Sequence, residues 1–88
     1  MKIIRVSLSE AEPSRETPTL FSDAKEELYG KLLREHSEEG EISDLPCSAT
    51  QFHIHVSATR HLGTVTTLLR RMLKHYRVAE RVTIERLA

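Results

Sequence analysis

The sequence predicts an α+β domain: a ferredoxin-like β-α-β-β-α-β sandwich, or a three-stranded β-α-β-α-β variant, with both helices on one face of the sheet. Three observations predict it. Gln51-Phe52-His53-Ile54-His55-Val56-Ser57 alternates polar and apolar residues, the pattern of a half-buried strand. After it, Leu62, Val65, Leu69, Met72 and Tyr76 share a narrow arc at about 100° per residue, flanked by Leu68 and Leu73, which marks an amphipathic helix. A similar strand and helix precede them, and right-handed crossovers place two such helices on the same side.

The elements follow in order. Lys2 to Leu8 alternates, with Ile4, Val6 and Leu8 on one face and Ile3, Arg5 and Ser7 on the other. Ser9 to Pro18, polar and holding two prolines, reads as a loop. A helix is expected from about Leu20 to Glu38, since Phe21, Ala24, Leu28, Leu32 and His36 recur at helical spacing. Asp23 with Glu26 offers a capping box, and Thr19 or Ser22 an alternative cap. Gly30 costs that helix about 1 kcal/mol relative to Ala, and Gly40 reads as its stop.

Ile42 and Leu45 mark a short strand from Glu41 to Pro46, which the proline restricts to a sheet edge. Ser57 or Thr59 can cap the second helix, which runs to about Tyr76, and Gly63 near its start reads as a close-packing position. A last strand, Arg81 to Leu87, buries Val82 and Ile84. The first and third strands then lie in the middle of the sheet. Arg5, His53, His55, Ser57, Thr83 and Glu85 point from the face without helices.

Size permits one domain. Eighty-eight residues, 39% of them hydrophobic and none Trp, build one modest core, and a chain of this length buries only about 60–65% of its unfolded surface. Cys47 is the sole cysteine, so an internal disulfide and a zinc-type cysteine cluster are both excluded. Met1-Lys2-Ile3-Ile4-Arg5-Val6 reads as a strand rather than a signal peptide, and no apolar run is long enough to span a membrane. A reduced, cytoplasmic setting without a membrane partner is the expectation.

The charges are segregated. Residues 1–46 hold six Lys/Arg and eleven Asp/Glu, 6 − 11 = −5, while residues 47–88 hold seven and two, 7 − 2 = +5. Such asymmetry accompanies acidic or nucleic-acid partners, or simply two halves that neutralise each other side by side.

Two groups of residues could carry function. The first is the histidine strand. His53-Ile54-His55 resembles the metal-binding motif of HUH endonucleases, in which two strand histidines hold a divalent metal and a helix-borne tyrosine attacks a DNA phosphate. The resemblance implies His53 and His55 as ligands, with a third ligand from Glu85 or another side chain. The helical pattern, however, puts Tyr76 on the apolar stripe, on the opposite side of the sheet, and Tyr29 beside a buried stripe. Two imidazoles alone also fall short of the four ligands of a closed zinc site.

The second group is a basic ridge. Arg70, Arg71, Lys74 and Arg77 lie opposite Leu69, Met72 and Tyr76 and could neutralise phosphates. Aromatic residues that would stack bases are missing from the sheet face. No cofactor motif and no nucleophile–base pair stand out. The leading expectation is therefore a non-catalytic binding or regulatory module for a protein partner or a second copy of itself. It would act through Arg5, His53, His55 and Ser57 on the sheet face, or through the basic helix. Nucleic-acid binding by the ridge is the alternative, and an HUH-like nuclease the third reading. A homodimer held by the imidazoles would weaken as pH falls through about 6.5, where an ordinary histidine charges.

Overall fold

Alternation in the first strand is realised residue by residue. In the computed structural model, which describes residues 2–9, 16–48 and 50–87 (side chains 44–47 excepted), β1 (Lys2–Leu8) buries Ile4, Val6 and Leu8. Its other face, Ile3, Arg5 and Ser7, stays half-buried. Then come α1 (Thr17–Glu35), β2 (Gly40–Ser48), β3 (Gln51–Val56), a 3₁₀ turn at Thr59–His61, α2 (Leu62–His75), a second 3₁₀ turn at Ala79–Arg81 and β4 (Val82–Arg86). The four strands form one antiparallel sheet in the order β2-β3-β1-β4. This is the ferredoxin-like α+β arrangement, with β1 and β3 central and β2 at an edge.

One face of the sheet is dry. Ile4 pairs with Ile54 and Val6 with Phe52 across the two central strands, and all four are no more than 1% exposed. Phe21, Ala24, Leu28 and Leu32 of α1 and Val65, Leu69 and Leu73 of α2 join them in a single core, so both helices cover the same side. The rings of Phe21 and Phe52 meet at 5.5 Å between centroids, tilted by 44°, a favourable aromatic geometry. Of the two stripes anticipated from spacing, Phe21, Ala24, Leu28 and Leu32 and Val65, Leu69 and Met72 are buried, whereas Leu62 and Tyr76 are only partly so and His36 lies just past α1.

The helix ends differ from expectation. α1 starts at Thr17, three residues early, with Pro18 inside its first turn and Glu16 as N-cap without a side-chain cap bond. Proline is tolerated there because first-turn N–H groups have no helical partner. Asp23, with Thr19, Ser22 and Glu26, is thus helical interior rather than a cap. The helix closes at His36, whose N–H bonds to Leu32 O, so Gly40 is not its stop but the first residue of β2. Neither Ser57 nor Thr59 caps α2: a 3₁₀ turn precedes it, His61 is the N-cap, and no side-chain cap bond forms. Residues 10–15 of the expected loop, and the side chains of Leu45, Pro46 and Cys47, lie outside the description.

At its far end α2 is closed by two backbone bonds, Val78 N–H to Leu73 O at 3.0 Å and Arg77 N–H to Lys74 O at 3.1 Å. This is the Schellman pattern, which requires a left-handed residue after the cap. Arg77 occupies that position with φ 61°. An L-residue there carries roughly 1–2 kcal/mol of strain that glycine would avoid. Val78, 1% exposed, supplies the apolar contact that completes the motif.

Glycines 30 and 40 should respond oppositely to a methyl group. A Cβ at Gly40 would meet the His55 carbonyl oxygen at 3.1 Å and Val65 Cγ2 at 3.4 Å, whereas at Gly30 the nearest atom is the mobile tip of Arg34, also at 3.1 Å. Urea denaturation is expected to show Gly30→Ala more stable by up to about 1 kcal/mol. Gly40→Ala should be less stable by roughly 1–3 kcal/mol through overpacking.

Candidate functional site

The uncovered face is ordered by the strand register. Ser43, His53, Arg5 and Glu85 lie side by side across β2, β3, β1 and β4. Beside that row, Glu41 pairs with His55 and His55 with Ile3. The Leu87 N–H continues the ladder to the Ile3 carbonyl at 2.8 Å, so Leu87, 44% exposed, adds an apolar corner. On the other flank Gln51, Ser7 and Thr83 form a polar row. His53 and His55 are both half-buried.

Arg5 organises the middle. Its Nη2 donates to Glu85 Oε2 at 2.8 Å, with the two side chains 35% and 45% exposed. A pair this exposed contributes about 0–1 kcal/mol to stability, so its effect is to fix where the guanidinium points. The Arg5 Nε is buried without a hydrogen-bond partner among the described residues, a local debt of roughly 1–3 kcal/mol for an unsatisfied donor. Glu85, the third metal ligand that the HUH resemblance implies, is occupied by this arginine.

Ser57 is placed differently from the other three face residues. It sits one residue beyond β3, and its hydroxyl donates to the carbonyls of Glu38 at 2.7 Å and Glu39 at 3.2 Å. It staples the turn after α1 to the end of β3. Among the described residues, no three His, Cys, Asp or Glu side chains converge as a metal site. Tyr76 packs at the edge of the core on the helix side and donates its hydroxyl to Glu27 of α1, while Tyr29 is exposed on α1. Neither phenol shares a side of the sheet with the histidines.

The basic ridge lies on the opposite side of the molecule. Arg70, Arg71, Lys74 and Arg77 are all exposed, and none enters an ion pair among the described residues. The carboxylates of α1 do not reach across to them. Glu35 pairs with Lys31 at 3.7 Å and Glu27 with the Tyr76 hydroxyl, while Glu39, in the turn after α1, pairs with His36 at 3.1 Å. The two halves do meet in one ion pair, Arg5 with Glu85, but the four ridge cations take no part in such a pair among the described residues.

Two surface features escaped sequence reasoning. Tyr29 and Leu33, one helical turn apart on α1, are 43% and 63% exposed and border a small recess against Ile42 of the β2 edge. Their i,i+4 spacing, off the buried stripe, was the available signal. A cleft between α1 and α2 is the other, and its residues come from distant parts of the chain. No helix among the described residues is long and apolar enough to cross a membrane. Set against family models, curated proteins and solved structures, the chain gives no match.

Tyr76 offers a pH test of the helix contact. Its hydrogen bond to Glu27 is the main cause that raises its pKa above the ordinary 10.0, with desolvation and the Glu27 and Asp23 charges adding to it. A group whose folded pKa is raised lends stability that is complete below the unfolded value and lost as pH rises through the folded one. Tyrosinate absorbance of the parent minus that of Tyr76→Phe should give a midpoint above 10.0. A midpoint at or below that value would remove the bond from solution.

Proposed function

We propose that the chain is a small non-catalytic binding module that engages a protein partner, or a second copy of itself, through the uncovered face of its sheet. The observation that carries this is the strip Ser43–His53–Arg5–Glu85, laid across all four strands beside the apolar corner of Ile3 and Leu87. Arg5 is held in place before any partner arrives, which lowers the ordering cost of contact. Half-buried imidazoles add donors and acceptors around it, the mixture expected of a wet protein interface. Single-stranded nucleic acid fits this face less well. Both phenylalanines are buried in the core and both tyrosines lie on the helix side, so this face offers a base only the half-buried imidazoles of His53 and His55 and no Phe or Tyr ring.

Capture from a native lysate, with and without nuclease, tests the proposal when the parent is compared with two variants. Replacing His53 and His55 together by Ala should weaken capture at least roughly tenfold, the effect of losing about 1.4 kcal/mol of contact. Replacing the four ridge cations by Gln should leave it unchanged. Capture that survives the histidine change, or disappears with nuclease, would defeat the proposal.

One observation favours a second reading, nucleic-acid binding by α2. Its three exposed cations Arg70, Arg71 and Lys74 stand outside any ion pair among the described residues, as does Arg77 just past its C-cap, which keeps its place at a strained left-handed position. Fluorescence titration with DNA and RNA at low salt should then give affinity falling steeply with salt concentration, with a slope near −0.7 to −0.9 per phosphate neutralised. Arg77→Gly is a useful probe because it relieves backbone strain, so weaker binding could not be blamed on unfolding. Absence of binding at low salt would eliminate this reading.

A further inference from the structure

The helix side of the molecule holds a second feature, which shares only Arg71 with the basic ridge. Where the last turns of α1 meet the first turns of α2, they leave a cleft of about 600 Å³ lined by Lys31, His36, Gly63, Thr64, Thr67 and Arg71 among others. That volume is within the range of small-molecule sites. We propose that this cleft binds a small phosphate-bearing molecule, independently of the sheet face.

The lining is rich in donors. Lys31 contributes an ammonium from α1 and Arg71 a guanidinium from α2, so two cations from opposite walls converge on one space. Arg71 is exposed and outside any ion pair among the described residues. Its planar fork matches a phosphate in two parallel hydrogen bonds. Thr64 and Thr67, one turn of α2 apart, add hydroxyls, while His36 in the same lining has its Nδ1 taken by Glu39 at 3.1 Å. The one carboxylate in the lining is Glu35, and it is already drawn to Lys31 at 3.7 Å.

The start of α2 fits the same ligand. The 3₁₀ turn Thr59–His61 leads into it, with the Leu62 N–H bonded to Thr59 O, and neither segment has a side-chain cap or an acidic residue in its first turn, so no carboxylate there opposes an anion. Gly63 is the independent pointer. A Cβ there would meet nothing within 4 Å, and no glycine among the described residues has a positive φ. Neither packing nor backbone conformation requires glycine at this position, and Ala would favour the helix. This overturns the close-packing role expected for Gly63. What a glycine does provide at a cleft wall is bare backbone that a ligand can approach closely.

The test is a titration of the full ¹⁵N-labelled chain with inorganic pyrophosphate, followed by amide resonances. Saturable shifts centred on Gly63 and Thr64 are expected. Arg71→Gln should weaken binding about tenfold, the scale of one charged hydrogen bond. Glu35→Gln should tighten it by removing the competing carboxylate. Gly63→Ala should keep or raise the thermal midpoint while weakening binding, a combination that separates a ligand role from a structural one. No saturable shift would overturn the proposal. So would shifts centred on Arg70, Lys74 and Arg77 that persist in Arg71→Gln, or an identical response to sulfate at the same concentration.

Discussion

Burial of Ile4, Val6, Phe52, Ile54 and Val56 beneath both helices is the constraint on which the other features depend. Side chains alternate with a period of two, so fixing these residues inward fixes Arg5, His53 and His55 outward. A slip of one residue between β1 and β3 would set the imidazoles against Phe21 and Leu28 and expose the aliphatic row. The cost of stranding polar rings in that core far exceeds any gain in pairing, so no register shifted by an odd number of residues competes. The outward facing of the strip's residues is thus a by-product of core packing. No interaction within the strip needs to be strong for its residues to be in place.

This explains which parts of the structure were legible in the sequence. β1 was readable to the residue, because in an alternating strand the hydrophobic pattern and the pairing register are the same information. The buried stripes of α1 and α2 were readable for the analogous reason at helical period. Helix ends were not. Cap-forming side chains such as Asp23 and Ser57 occur in suitable order, but capping contributes about 1 kcal/mol and yields to tertiary demands. Here Thr17 is drawn into a buried position, and Ser57 is committed to the carbonyls of Glu38 and Glu39. Gly40 misled because glycine serves both as a helix stop and as a point of close approach, and only its contact with the His55 carbonyl distinguishes the two.

The candidate surfaces were legible in proportion to how local they are. The histidine face needs only the parity of one strand. Its row of neighbours needs the strand order, since Arg5, Ser43 and Glu85 become adjacent to His53 only once β1 lies between β3 and β4. The ridge needs one helix, and its four cations were placed correctly on the exposed side. The interhelical cleft needs the pairing of two helices whose contacting residues are about thirty positions apart, and no local period encodes that. What also escaped composition was the fate of the acidic half. Three of its carboxylates take partners that composition does not name: Glu35 pairs with Lys31, Glu39 with His36, and Glu27 accepts from the hydroxyl of Tyr76.

The absence of ion pairs at the four ridge cations among the described residues has a consequence for how the molecule can act. Sheet face and ridge lie on opposite sides of a two-layer sandwich, separated by the full thickness of the core. Were the cations neutralised by α1, the helix layer would present a nearly neutral surface and only the sheet face could discriminate among partners. Left unpaired, they form a positive field that attracts anionic groups at long range and weakens with salt, whereas the strip of Ser43, His53, Arg5 and Glu85 acts only at hydrogen-bonding distance. The two sides therefore differ in range as well as in chemistry. A partner held on the sheet face leaves the cations and the interhelical cleft in solvent, so one small domain has the geometry to hold a protein on one side and an anion on the other without either excluding its neighbour.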